Sequence, residues 1–76
     1  MTNHELLPSG EYDSVAVGIC RGNNKEYTTS AFNTAGYHKW RSREALIQDC
    51  LPNLSQEDRE FLISGISPEG WKELFE

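Results

Sequence analysis

The stretch from residue 54 to residue 75 most constrains what this chain can fold into, because it combines helix start and stop signals. It reads LSQEDREFLISGISPEGWKELF. Ser55 predicts a helix N-cap, with Asp58 in the capping-box position, and Gly65 predicts the end of that helix. Pro68 suits the first turn of a second helix. The segment therefore predicts two short helices joined by a sharp corner.

Large apolar side chains occur on both predicted helices. Phe61 and Leu62 lie in the first, while Trp71, Leu74 and Phe75 follow the i, i+3, i+4 spacing in the second. A chain of 76 residues has one small core, so we expect Trp71 and Phe75 to close it. The alternative is that the pair forms an exposed hot spot for a partner, since short amphipathic helices dock in grooves.

An alternating stretch upstream predicts a β-hairpin. Residues 12–20 read YDSVAVGIC, and this period of two with β-branched residues is typical of a half-buried strand. The turn signal RGNN at 21–24 and the strand-forming residues of 25–32 predict the return strand. A hairpin alone is marginally stable, so the C-terminal helices must cover it.

The predicted fold class is α+β, with an N-terminal antiparallel β-hairpin packed against three or four short C-terminal helices. Residues 1–11 contain Pro8 and Gly10 and predict an irregular N-terminus, while residues 12–76 predict a single small domain. The expected core consists of apolar side chains from every predicted element: Val15, Val17, Ile19, Tyr27, Trp40, Leu46, Ile47, Leu51, Phe61, Leu62, Ile66, Trp71 and Phe75.

Composition excludes several classes of protein. The net charge of −5 opposes a general role in nucleic-acid binding, because phosphate contact needs a basic surface. No apolar run approaches the roughly 18 residues of a membrane span, and the polar N-terminal segment does not resemble a signal peptide. We therefore expect a cytoplasmic protein without membrane contact. Cys20 and Cys50 are expected to stay reduced there, although their number permits one disulfide.

Charge is distributed unevenly along the chain. Residues 21–43 hold five Lys or Arg against one acid, whereas residues 48–76 hold seven acids against two bases. An acidic helical face can attract a basic protein partner. The candidate partner-binding residues are Glu57, Glu60, Glu69 and Glu73. The alternative is that acids near helix N-termini only favour the helix dipole.

The segment YHKWRSR, residues 37–43, mixes aromatic and cationic side chains, a combination that stacks bases and contacts phosphates. Its candidate nucleic-acid contacts are His38, Lys39, Arg41 and Arg43. The other interpretation places Tyr37 and Trp40 in the core and the cations on a solvated rim.

No pattern predicts catalysis or a cofactor. The cysteines and histidines, Cys20, Cys50, His4 and His38, lack the C-x-x-C and H-x-x-x-H spacings of metal ligands. The chain also lacks a nucleophile elbow and a glycine-rich phosphate loop. We expect no enzyme activity, no cofactor and no metal, and we expect the cysteines to be small buried hydrophobes.

Short motifs follow one another over the second half of the chain: Trp40, LIQD at 46–49, LPNLS at 51–55, DREFL at 58–62, SGI at 64–66, PEGW at 68–71 and Phe75. This order resembles a family of small proteins from bacteria, phages and mobile elements. The resemblance implies a fold more than an activity. Some similar sequences carry cysteine pairs near the hairpin and before the final Trp, suggestive of a zinc site. Here Ser67 and Gly70 stand before that Trp, and only Cys20 remains near the hairpin.

The leading hypothesis is a small acidic, non-catalytic protein-binding module, an accessory or inhibitor-like protein of a phage or mobile element that acts on a host protein in the host cytoplasm. The alternative is a weak nucleic-acid-contacting protein that uses residues 37–43. The chain is expected to be a monomer, or a homodimer through the hairpin edge, since exposed strands recruit others.

Overall fold

The computed structural model describes residues 4–75 of the chain. In this part, four strands are followed by four short helices. The elements are β1 His4–Pro8, β2 Asp13–Ile19, β3 Glu26–Thr28, β4 Phe32–Asn33, α1 Thr34–Arg41, α2 Ile47–Cys50, α3 Gln56–Ser64 and α4 Pro68–Phe75. The predicted α+β class, with N-terminal antiparallel strands and C-terminal helices, is confirmed. No helix within residues 4–75 combines the length and apolarity needed to cross a membrane.

One antiparallel sheet contains all four strands. Strand β2 pairs with β1 on one side and with β3 on the other, and its first residues also pair with β4. Leu7 of β1 lies opposite Val15, and Thr28 of β3 lies opposite Val17. The predicted return strand over residues 25–32 is therefore two short strands with a break between them. Strands β1 and β3 form the edges of the β1–β2–β3 path.

The expected irregular N-terminus is wrong for residues 4–8, which form β1; residues 1–3 lie outside the described part of the chain. Strand β1 pairs with β2 over its whole length, which satisfies the backbone groups on its β2 side. This pairing joins separate segments of the chain, so residues 1–11 alone do not predict it. His4 is buried and hydrogen-bonded to the Tyr37 hydroxyl at 2.8 Å, and Leu6 packs against the core. Pro8 is tolerated because β1 is an edge strand.

The face of β2 that packs under the helices is opposite to the one predicted. Ser14, Ala16 and Cys20 are buried, whereas Ile19 is 53% exposed and the two valines are only partly buried. The reason is the close approach of the helices. A Cβ on Gly70 of α4 would collide with the Cys20 sulfur. Only small side chains fit under so close a layer, so the β-branched residues face outward.

The core is correspondingly different from the expected one. It is built around Ala16, Phe32, Tyr37, Leu51, Leu54 and Leu62, with Phe61 and Cys20 also buried. Of the predicted core, Leu51, Phe61 and Leu62 are confirmed as buried, while Ile19, Leu46 and Phe75 are wrong because they are exposed. The remaining predicted members are partly buried: Val15, Val17, Tyr27, Trp40, Ile47, Ile66 and Trp71.

The local helix signals are confirmed. The Asp58 N–H donates to the Ser55 hydroxyl at 3.1 Å, and Gly65 adopts a left-handed conformation with φ 78° while its N–H bonds to Phe61. The N-cap of α4 is Ser67 by geometry, since its hydroxyl accepts the Gly70 N–H at 3.1 Å. Both helices thus begin with a hydroxyl that satisfies an otherwise unpaired N–H.

Candidate functional site

The last helix presents apolar side chains that the domain does not bury. Trp71 and Phe75 lie one turn apart and stack, with ring centroids 5.1 Å apart and an interplanar angle of 14°. Phe75 is 73% exposed and Leu74 is 51% exposed. Helix α4 approaches Cys20, at the end of β2, through Gly70, while Leu74 and Phe75 lie exposed. The expectation that Phe75 closes the core is therefore wrong.

A groove of about 360 Å³ lies beside Trp71, between α3 and α4. It is lined by Gln56, Glu57 and Glu60 of α3 and by Pro68 and Trp71 of α4. Two carboxylates and an indole ring therefore border one concave surface, without a basic side chain among the lining residues. We call this the α3–α4 groove, and we call the groove together with Leu74 and Phe75 the α3–α4 surface.

The other two candidate acids point elsewhere. The Lys25 ammonium bonds to a Glu69 carboxylate oxygen at 3.2 Å, and the Asn23 amide donates to Glu73 at 2.7 Å. The hydrogen bond and charge of Glu69 raise the pKa of Lys25, as does the charge of Glu73. The ion pair is exposed, so it contributes little stability. The structure thus places two predicted acids in the groove and two over the β2–β3 turn.

Two buried donors, one on α3 and one on α4, have no partner within residues 4–75. They are the indole Nε1 of Trp71 and the guanidinium Nε of Arg59. Unpaired buried donors are rare and cost about 1–3 kcal/mol each. These two donors are therefore less well satisfied than the Asp58 carboxylate, which accepts two hydrogen bonds from the sheet side.

The basic-aromatic segment does not form one surface. Tyr37 is buried, and the Arg41 guanidinium lies 5.2 Å from the centre of the Trp40 ring, so that ring already has a cation partner. His38 and Lys39 line a groove between α1 and α2 that also contains Asp49, whereas Arg43 lines a different groove. The four candidate contacts thus fall into two groups: His38 and Lys39 line one groove, whereas Arg41 and Arg43 lie beside Trp40. The interpretation of Tyr37 as a core residue is confirmed.

Cys20 is fully buried, and Cys50 is partly buried; both thiols are free. The Cys20 sulfur accepts backbone N–H groups from Gly22 at 3.3 Å and from Ser67 at 3.2 Å. Burial tends to raise the pKa of the Cys20 thiol, but the hydrogen bonds from Ser67 and the turn lower it overall. Gly70 also lies against this sulfur, so Ser67 and Gly70, which precede the final Trp, both contact Cys20. Residues 4–75 contain no cluster of three or more His, Cys, Asp or Glu side chains arranged to hold a metal.

Comparison with known proteins adds no relative. No protein-family model matches the chain, and neither the curated proteins nor the solved structures contain a match. The resemblance to small phage and mobile-element proteins stays a prediction from the motifs.

Sequence reasoning found the groove carboxylates but not the groove. The capping pattern located α3 and α4, so the acids on those helices were visible as candidates. Which of these acids share a surface with Trp71 depends on the angle between the helices. That angle follows from the contact of Gly70 with Cys20, which is distant in sequence.

Proposed function

We propose that this protein is a non-catalytic protein-binding domain that recognises its partner through the α3–α4 surface. The observation that carries the proposal is the stacked Trp71–Phe75 pair, exposed at Phe75 and bordered by the carboxylates of Glu57 and Glu60. Aromatic side chains dominate the binding energy of protein interfaces, and a charged rim directs the encounter. An acidic rim and a net charge of −5 favour a basic partner.

The partner we propose is a protein of the host cell, with this chain acting in the host cytoplasm as a phage or mobile-element accessory or inhibitor-like protein. This part of the proposal is supported by the motif resemblance and the small acidic chain. A homodimer through the edge of β1 or β3 stays a prediction, which sedimentation of the purified chain tests.

The chain offers a matched pair of variants to test the surface. Phe75 is 73% exposed, and Tyr12, on the sheet side, is 71% exposed. The immobilised protein is used to capture a partner from host lysate, and the purified partner is then titrated against Phe75→Ala and Tyr12→Ala. Removing an aromatic hot spot costs roughly 2 kcal/mol or more, which is about thirtyfold in affinity.

We expect Phe75→Ala to weaken binding by at least that factor with an unchanged melting temperature, and Tyr12→Ala to have no effect. Equal affinities of the two variants would contradict the proposal. The alternative, nucleic-acid contact through residues 37–43, gains little support because its cations fall into two groups and Trp40 already packs with Arg41.

A further inference from the structure

We infer that the α3–α4 groove recognises an arginine side chain of the partner. This inference rests on the proposed function and adds the chemical class of the group that enters the groove. It follows from three properties of the groove: unpaired carboxylates, an aromatic wall and the absence of a lining cation.

The groove carboxylates are available, unlike the other candidate acids. Within residues 4–75, the side chains of Glu57 and Glu60 form no hydrogen bond or ion pair, whereas Glu69 and Glu73 bond to the β2–β3 turn. Glu57 and Glu60 are spaced i, i+3 on α3, which puts them on one face of the helix. Two carboxylates side by side repel each other, and a cation between them relieves that repulsion.

The wall of the groove favours a guanidinium over an ammonium. Trp71 provides the ring type that binds cations best, and Phe75 stacks on it beside the groove. A guanidinium is planar, so it can stack on the indole while its N–H fork donates in plane to carboxylates. Its aliphatic stem can lie along Pro68 and Trp71. An ammonium is more strongly hydrated and cannot stack.

Other occupants fit the groove less well. An apolar helix would cover Glu57 and Glu60 without pairing them, and burying unpaired carboxylates is costly. A second copy of this chain has a net charge of −5, so its overall charge opposes approach to an acidic surface. The nearest cations in the sequence, Arg59 and Lys72, do not line the groove.

The test uses three blocked tripeptides, Ala-Arg-Ala, Ala-Lys-Ala and Ala-citrulline-Ala, each titrated into the ¹⁵N-labelled full chain. The readout is the indole N–H resonance of Trp71, assigned with Trp71→Phe, with the Trp40 indole as internal reference. Citrulline keeps the shape of arginine and removes its charge. We expect the arginine peptide to shift the Trp71 resonance saturably, with the lysine and citrulline peptides weaker by about tenfold or more.

Glu57→Gln with Glu60→Gln should reduce the arginine response by a similar factor. Glu69→Gln with Glu73→Gln, on the same two helices, should leave it unchanged, and amide spectra confirm that each variant is folded. Equal binding of the citrulline or lysine peptide, or an arginine response that survives loss of the groove carboxylates, would overturn the inference. If partner binding still depends on Phe75 in that case, the proposed function stands without the arginine. If binding does not depend on Phe75, the proposed function fails.

Discussion

Replacing Asp58 with alanine should remove most of the stability of this domain, because its carboxylate hydrogen-bonds α3 to β3 and to the loop that follows β3. Asp58 is 5% exposed. One carboxylate oxygen accepts the Tyr27 hydroxyl at 2.5 Å, and the other accepts the Ser30 N–H at 3.0 Å. The Tyr27 ring also packs on Phe61, with centroids 4.9 Å apart. A single side chain therefore joins β3, the following loop and α3.

The magnitude follows from these contacts. A hydrogen bond to a charged group contributes about 1.5–3 kcal/mol, so losing two costs about 3–6 kcal/mol. The whole net stability of a domain this small is about 3–5 kcal/mol. Tyr27→Phe removes only one of the two bonds and should cost about 1.5–3 kcal/mol. Burial, and then the bond to Asp58, raise the pKa of Tyr27, which keeps its hydroxyl protonated and donating.

Urea unfolding monitored by circular dichroism measures both changes. Glu57→Ala is the matched control, because it removes an exposed carboxylate from the same helical turn and should change the free energy of unfolding by less than about 0.5 kcal/mol. We expect Asp58→Ala to be largely unfolded without denaturant. A loss below about 1 kcal/mol would refute the claim that this carboxylate holds the two layers together.

Three further predictions concern other parts of the molecule. Gly70→Ala places a methyl group against the Cys20 sulfur and should lower the free energy of unfolding in urea by about 1–3 kcal/mol. Adding Cys20→Ala to the same chain should restore part of the loss. Additive effects of the two substitutions would contradict the contact. Burial, and then the charge of Arg41, lower the pKa of His4 below its ordinary 6.5. The stability that depends on neutral His4 is therefore complete above pH 6.5 and is lost as the pH falls through the lowered pKa. As the pH is lowered, the melting temperature of His4→Gln should fall less than that of the unmodified chain. Melting temperatures of the two chains that fall in parallel would refute this. A labelled oligonucleotide should not bind to the chain in a fluorescence titration. Binding that weakens with added salt, with a smaller salt dependence in Lys39→Ala, would instead favour nucleic-acid contact.

The parts of the fold that are determined by residues adjacent in sequence were predictable. Ser55, Asp58 and Gly65 define α3 because a cap, a first turn and a left-handed residue are properties of a few consecutive positions. The hairpin turn over residues 21–24 follows for the same reason. These elements needed no knowledge of what packs against them.

The orientation of the sheet was not predictable, since it depends on distant contacts. Alternation in β2 shows that two faces differ but does not show which is covered. The β-branched face was the natural choice, yet the helices cover the face with Ala16 and Cys20, because Gly70 brings α4 close. Phe75, on the same helix, lies exposed. Strand β1 was missed because the strand with which it pairs, β2, lies beyond a break in the chain.

Two groups of exposed apolar side chains within residues 4–75 can be compared directly, and only one of them is proposed to bind the partner. Leu74 and Phe75 belong to the α3–α4 surface, while Leu7 and Ile19 lie on the open face of the sheet. Cross-saturation NMR from the purified partner to the labelled chain compares them in a single experiment. The account predicts strong intensity loss at Leu74 and Phe75, with Leu7 and Ile19 unchanged. Loss at Leu7 and Ile19, with Leu74 and Phe75 unaffected, would contradict it.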